Sequence, residues 1–163
     1  MERGFASIGL WHPANAINVG GVLRAAQIFG VKLVVMNNGD ESINRLIRTR
    51  VDTTKAWRHI PTLSCDDVLA CKPYGSTVIA VEKVDTGIRL PHFTHPERAY
   101  YIFGPESGSI SDEVLADVND VVSIPMKTGC MNLAQCVNVV LYDRMAKKCR
   151  LEQCVQDVVI QTY

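Results

Sequence analysis

The sequence predicts an α/β domain built on a mostly parallel sheet with helices on both faces. Three observations predict it. Short β-branched runs alternate with stretches of helical periodicity. Several of those runs are apolar at consecutive rather than alternate positions, as strands covered on both faces are. The 163 residues are 47% hydrophobic and 21% charged, the balance of a globular chain and far from that of a disordered one. A chain of this length buries roughly 69% of its unfolded surface, enough for one core without metal or disulfide staples.

The elements follow in order. Strands are expected at residues 5–10, 31–36, 77–81, 100–103 and 121–124. Between the first two, residues 18–29 place apolar side chains at 22, 23, 25, 26, 28 and 29, and Gly30 is a natural stop, so a helix is expected there. Ser64-Cys65-Asp66-Asp67 has the spacing of a capping box with Asp in place of Glu; Val68, Leu69 and Ala70 follow, and Pro73 and Gly75 close the segment, which reads as a second, shorter helix. Ser109-Ile110-Ser111-Asp112 opens a third, through about Ala116. Asn132, three before Gln135, opens the last, which is expected to run to about Lys148. Its apolar positions (133, 134, 136, 137, 139, 140, 141 and 145) surround most of its circumference, so it should pack against the sheet and against a second surface, most economically a subunit partner. No repeat and no Pro, Gly or Ser-rich linker divides the chain, so residues 1–148 are read as one domain and 149–163 as a tail.

Seventeen Lys plus Arg balance seventeen Asp plus Glu, so any nucleic-acid role must rest on a local basic patch. The segment from Asn37 to Arg58 holds Arg45, Arg48, Arg50, Lys55 and Arg58 against Asp40, Glu41 and Asp52; it is either a solvated face or an anion-binding surface. No apolar run approaches the ~18 residues of a spanning helix, and the opening Met-Glu-Arg-Gly-Phe has no secretory pattern, so a soluble cytoplasmic protein without membrane contact is expected. The six cysteines show no Cys-x-x-Cys and no ligand spacing with His, so neither structural zinc nor a disulfide framework is expected, and no metal.

Three stretches sit where a ligand of an open parallel sheet would, at strand ends and helix starts. The first, Asn15 to Ala25, contains Asn18, Gly20, Gly21 and Arg24; it is either a structural turn with a surface arginine or a phosphate-binding turn, and it matches neither the dinucleotide nor the nucleoside-triphosphate glycine pattern. The second, Tyr101 to Ile110, breaks a buried strand into Gly104-Pro105-Glu106-Ser107-Gly108; the spacing is wrong for a hydrolase serine, and Glu106 either faces a helix N-terminus or holds loop amides. The third, Ile124 to Leu133, carries Cys130 near a helix N-terminus, where a thiolate is favoured, and Asn132, whose simplest reading is an N-cap. No histidine adjoins Cys130 in sequence.

Together these stretches resemble the three motifs of the SPOUT superfamily of RNA methyltransferases, in its SpoU (TrmH) branch, over roughly residues 5–148. Asn18-x-Gly20-x-x-x-Arg24 resembles the first motif and Phe103-Gly104-Pro105-Glu106 the second; Ile124-Pro125-Met126 with Cys130-Met131-Asn132-Leu133 resembles the third. With almost nothing ahead of the first motif, the chain is similar to the minimal members that methylate tRNA at the wobble ribose.

The resemblance implies a C-terminal third threaded into a trefoil knot, a homodimer, and S-adenosylmethionine bound bent among the three loops. It implies ribose 2′-O-methylation of RNA, tRNA above all. Arg24 is implied at the reacting hydroxyl and the RNA, with Asn18 and Glu106 positioning it, Asn132 ordering the third turn, and position 130 also in the catalytic set. Phe103, Gly104, Glu106, Ile124, Met126, Met131 and Leu133 are implied as the cofactor walls. Arg45, Arg48, Arg50, Lys55 and Arg58 are the candidate RNA surface. Two positions depart from the pattern: Cys130 stands where serine is usual, and Ser109 where glycine is usual, with Gly108 one residue earlier. They favour the alternative, a non-catalytic RNA-binding or assembly protein that keeps the fold.

Overall fold

Six consecutive residues, Phe5–Leu10, form β1, and the chain then turns through Asn15 into helix α1 (Ala16–Ile28). The Asn15 side chain caps α1 by accepting from the Ile17 amide at 2.8 Å, and Gly30, at φ 67°, ends the turn that follows it. Strand β2 (Val34–Asn37) returns alongside β1. The computed structural model describes residues 4–37 and 53–161, with side chains as far as residue 151. After a 3-10 turn at Ala56–Arg58 come β3 (Thr62–Cys65), β4 (Thr77–Val81), the short β5 (Ile88–Arg89) and β6 (Arg98–Phe103). The chain ends with α2 (Asp112–Ala116), β7 (Asp120–Ser123) and the long α3 (Leu133–Gln161).

The strands form one seven-stranded sheet in the order β3-β2-β1-β6-β4-β7-β5, and every pairing in it is parallel. Alternate residues of each central strand enter two separate cores, which is why the runs are apolar at every position. Ile8, Met36, Ile79, Tyr101 and Phe103 face α1 and α3, meeting Val22, Leu23, Leu133 and Val137. Val35, Val78, Ala80, Tyr100 and Ile102 face the other way, toward Val68, Ile110 and Val114. The two helices on the first face approach closely at Gly21, where a Cβ would lie 2.7 Å from that of Ala134.

Two expectations are corrected. Ser64 does not cap a helix: residues 62–65 pair in parallel with β2, and 68–71 form turns. Asp67 accepts from the Leu69 amide at 2.8 Å, closing a local turn, and Val68 alone of this stretch is fully buried, so no apolar face holds a helix together. The last helix does not stop near Lys148 but continues to Gln161, taking up most of the expected tail. Among the described residues no helix is long and apolar enough to cross a membrane, and the described cysteines 65, 71, 130, 136 and 149 are free thiols.

Candidate functional site

Strands β6, β4 and β7 are neighbours in the sheet, and a cleft of about 200 Å³ opens beyond their carboxyl ends. Its walls come from Val81 to Lys83 after β4, Phe103 to Glu106 and Gly108 after β6, and Ile124, Met126, Cys130, Met131, Leu133 and Cys136 after β7. The backbone makes room for it. Gly108 takes φ 100°, in the left-handed region, whereas Ser109 does not, so the turn has its glycine one residue early. At Gly104 a Cβ would lie 3.2 Å from Glu82 Oε2 and 3.3 Å from Ile110 Cγ1, leaving little space for a side chain beside the cleft.

One chain of hydrogen bonds ties the three loops around it. The Asn132 amide nitrogen Nδ2 donates to Asn18 Oδ1 at 2.8 Å, and Asn18 Nδ2 donates to Glu106 Oε1 at 2.6 Å. The same carboxylate accepts from the backbone amides of Ala14 at 2.9 Å and Asn15 at 3.2 Å. Partial burial works against ionisation of Glu106, but these donors outweigh it and hold its carboxyl below the ordinary value. Asn132 is at once a helix cap, its Oδ1 accepting from the Ala134 amide at 2.9 Å, and the link to the first loop.

All the expected cofactor-wall residues line the cleft: Phe103, Gly104, Glu106, Ile124, Met126, Met131 and Leu133. Cys130 joins them, exposed at the rim. Burial, with Cys130 and Glu82 nearby, pushes the thiol of Cys136 up to about 11, so that sulfur stays protonated and donates to the Met131 carbonyl at 3.6 Å. Arg24 is not brought to the cleft of its own chain. It is exposed on the outer face of α1 and makes no hydrogen bond or ion pair among the described residues. Of the expected RNA surface, Arg45, Arg48 and Arg50 lie outside the described residues, while Lys55 and Arg58 are exposed beside a 3-10 turn, the Arg58 guanidinium 5.0 Å from the Trp57 ring centre.

Two residues were missed in the sequence. Glu82 accepts from the Ile110 amide at 3.0 Å, and Lys83 Nζ donates to the Gly129 carbonyl at 3.2 Å, so the end of β4 fastens both later loops. The signal was present: they directly follow an expected strand, where ligands of parallel sheets bind. No group of three or more His, Cys, Asp or Glu among the described residues could hold a metal ion.

The lining fits an adenosyl sulfonium. It is largely apolar, with backbone groups at its edges, a glycine cradle, and the carboxylates of Glu82 and Glu106 beside it.

The model of the SpoU rRNA Methylase family matches residues 6–142. No curated protein matches the chain in sequence. Among solved structures, a TrmH-family protein from Porphyromonas gingivalis superimposes with TM-score 0.73 at 21% identity, over 87% of this chain and 59% of its own. A protein solved for the 2-OH methylation of C/U34 on tRNA has TM-score 0.70 at 25% identity, over 87% of this chain and 95% of its own. The SpoU methyltransferase AviRb from Streptomyces viridochromogenes, in complex with AdoMet, has TM-score 0.75 at 17% identity, over 91% of this chain and 59% of its own. This chain thus spans about three fifths of the Porphyromonas and Streptomyces proteins and nearly all of the tRNA-methylating one. With a family model matched over most of its length, the chain belongs to the SpoU rRNA methylase family.

Proposed function

We propose that this SpoU family member is an S-adenosylmethionine-dependent RNA methyltransferase that acts on a ribose 2′-hydroxyl, with tRNA as its substrate. The observation that carries the reading is the Asn132-Asn18-Glu106 hydrogen-bond chain, which joins three loops far apart in sequence around one apolar cleft. The tRNA preference is supported by the similarity to the protein that methylates C/U34, the length of which this chain nearly fills.

When bound, the cofactor supplies an electrophilic methyl carbon on its sulfonium. The chain's own residues supply placement and electrostatics. Phe103, Ile124, Met126, Met131 and Leu133 exclude water around the donor, and Glu106, through Asn18 and Asn132, fixes the distance between the loops. Arg24 serves the RNA: its guanidinium holds phosphate and stabilises negative charge developing on the sugar oxygen. It does not act as a base, because guanidinium stays protonated in proteins. A thiol at Cys130 donates a weaker hydrogen bond than a serine hydroxyl, so Arg24 carries more of the transition-state charge here.

A homodimer belongs to the same reading, as does a threaded C-terminal third. Ile17 and Ile28 on α1 are 53% and 66% exposed, and Tyr142 and Met145 on the adjoining α3 are 59% and 44% exposed. Arg24 shares the stripe of Ile17 and Ile28, seven residues after one and four before the other. A second copy covering that stripe carries Arg24 toward its own cleft.

Incubation with methyl-labelled cofactor and total RNA from a strain lacking the gene, followed by mapping of the labelled ribose, tests the reading. Label on a tRNA 2′-oxygen is expected, and Arg24→Ala is expected to abolish it while calorimetry shows cofactor affinity within about twofold. Cofactor binding with no label in any RNA would select the non-catalytic alternative, which the Cys130 and Ser109 departures favour.

A further inference from the structure

A second cavity, about 510 Å³, lies at the opposite end of the sheet from the cleft, between the segment ahead of β6 and the middle of α3. Helix α3 begins at the cleft, so the 15 residue steps from Leu133 to Lys148 place this cavity about 22 Å away along the helix axis. Pro91, Phe93, Pro96 and Leu151 give it apolar walls, and Arg144, Lys147, Lys148 and Arg150 line one side.

The site is preformed. His95 is held between Tyr101 Oη, 2.6 Å from Nδ1, and Asp143 Oδ2, 2.9 Å from Nε2. Lys147 donates to the carbonyls of Leu90 at 2.6 Å and Phe93 at 2.9 Å. Arg144 donates to those of Pro96 at 2.6 Å and Glu97 at 2.7 Å. These bonds fasten the segment to α3, so little ordering remains to be done on binding. They also leave the charge in place, because carbonyls satisfy donors without neutralising them. Among the described residues four cations line the cavity, with Glu97 in the lining and Asp143, paired with Lys147 at 2.6 Å, opposite them. In a chain of zero net charge this end is locally positive.

We propose that this cavity is a second RNA contact, seating one unstacked nucleotide of the substrate with its base against Pro91, Phe93 and Pro96 and its phosphates on Lys148 and Arg150. Single-stranded RNA is recognised by just this combination of flat apolar walls and backbone cations, and the volume falls within the range of small-ligand sites. A second copy of the chain fits worse: across a two-fold axis the same cations would face one another, whereas the stripe on α1 and α3 offers the exposed apolar side chains of Ile17, Ile28, Tyr142 and Met145 with Arg24 as its one named cation. The inference rests on the reading of the chain as an RNA methyltransferase.

The experiment measures anisotropy of a short labelled oligouridylate, and its displacement by bulk tRNA, over a range of salt concentrations, for the wild type and for Lys148→Glu combined with Arg150→Glu. The double variant is expected to bind roughly tenfold more weakly, and its log-log salt slope to be shallower by about 0.7 for each lost phosphate contact, about 1.4 in all. Cofactor affinity by calorimetry is expected to stay unchanged, which also shows that the variant is folded. Lys148→Gln with Arg150→Gln should give an intermediate loss. Equal affinity and slope in wild type and variant would overturn the second contact and leave the methyltransferase reading standing. A change of oligomeric state with RNA binding intact would assign the surface to a second copy and overturn it likewise. A wild-type protein that binds neither oligouridylate nor tRNA overturns the reading itself, and the contact with it.

Discussion

Glu106 gathers three donors from the turn into α1 and the helix's first turn, and two of them are backbone amides that no other described side chain serves. Hydrogen bonds to a charged group contribute ~1.5–3 kcal/mol each when buried, less at this exposed position. Glu106→Gln keeps the shape but offers one acceptor oxygen where two were used, so cofactor affinity by calorimetry should fall about tenfold. The pH response has a definite sign. Because the folded carboxyl titrates below its ordinary value near 4.5, its stabilisation is complete above that value and is lost as pH falls through the lower folded one. His95 runs on another window. Burial lowers its folded value from the ordinary 6.5, against the pull of Asp143. The bonding pattern agrees: Arg144 Nη1 donates to Tyr101 Oη at 3.2 Å, which frees the phenol proton for Nδ1 and leaves the Nε2 proton for Asp143, a neutral ring. The unfolded chain therefore takes up a proton first, and thermal stability should decline as pH drops below 6.5 until the folded value is passed. A melting series in which His95→Gln removes that slope checks it, and a slope unchanged by the substitution would count against a neutral His95.

At the scale of elements, the legible parts were those whose pattern comes from burial on both faces. The strands expected at 5–10 and 77–81 appear as Phe5–Leu10 and Thr77–Val81, and the helix ahead of Gly30 appears as α1. The missed strands, Thr62–Cys65 and Ile88–Arg89, are the two edges of the sheet. An edge strand has one partner and partly open faces; Leu63 is 47% and Ile88 42% exposed, so no apolar run marks either of them. The false helix at Ser64 shows the complementary error, a cap spacing read without an apolar face to support it. The cleft walls were legible because they occupy motif positions at strand ends. Glu82 and Lys83 were not, because their place after an expected strand is their only signal and no motif accompanies it. The contact of α1 with α3 was invisible too, since it depends on Gly21 meeting Ala134 across 113 residues of chain. Gly21→Ala should overpack that contact by about 1–3 kcal/mol, lowering Tm by roughly 3–10 °C. Adding Ala134→Gly should restore most of it, a coupling that two independent sites would not show.

For the whole molecule, the decisive geometry is that Arg24 is exposed on α1 and does not line the cleft of its own chain, while Asn18, one and a half turns earlier on the same helix, is bonded to Glu106 in the cleft wall. If Arg24 served its own cleft, α1 would have to rotate, and its inner face is committed: Val19, Val22, Leu23 and Ala26 are fully buried against the sheet and α3. A second copy packed on the Ile17, Ile28, Tyr142 and Met145 surface removes the need for rotation and covers exposed apolar area at the same time. Subunit complementation separates the two arrangements. Arg24→Ala and Glu106→Ala chains, each expected to be inactive alone, are co-expressed with different tags. If Arg24 acts across the interface, a mixed dimer has both lesions in one site and none in the other. Half of a random population is mixed, so about a quarter of the wild-type rate should return. If Arg24 acts within its own chain, every site of the mixed dimer carries one lesion and no rate returns. If Arg24 acts across the interface, Tyr142→Glu with Met145→Glu should give a monomer by gel filtration that binds cofactor yet transfers nothing, because no second subunit then supplies an arginine to its cleft.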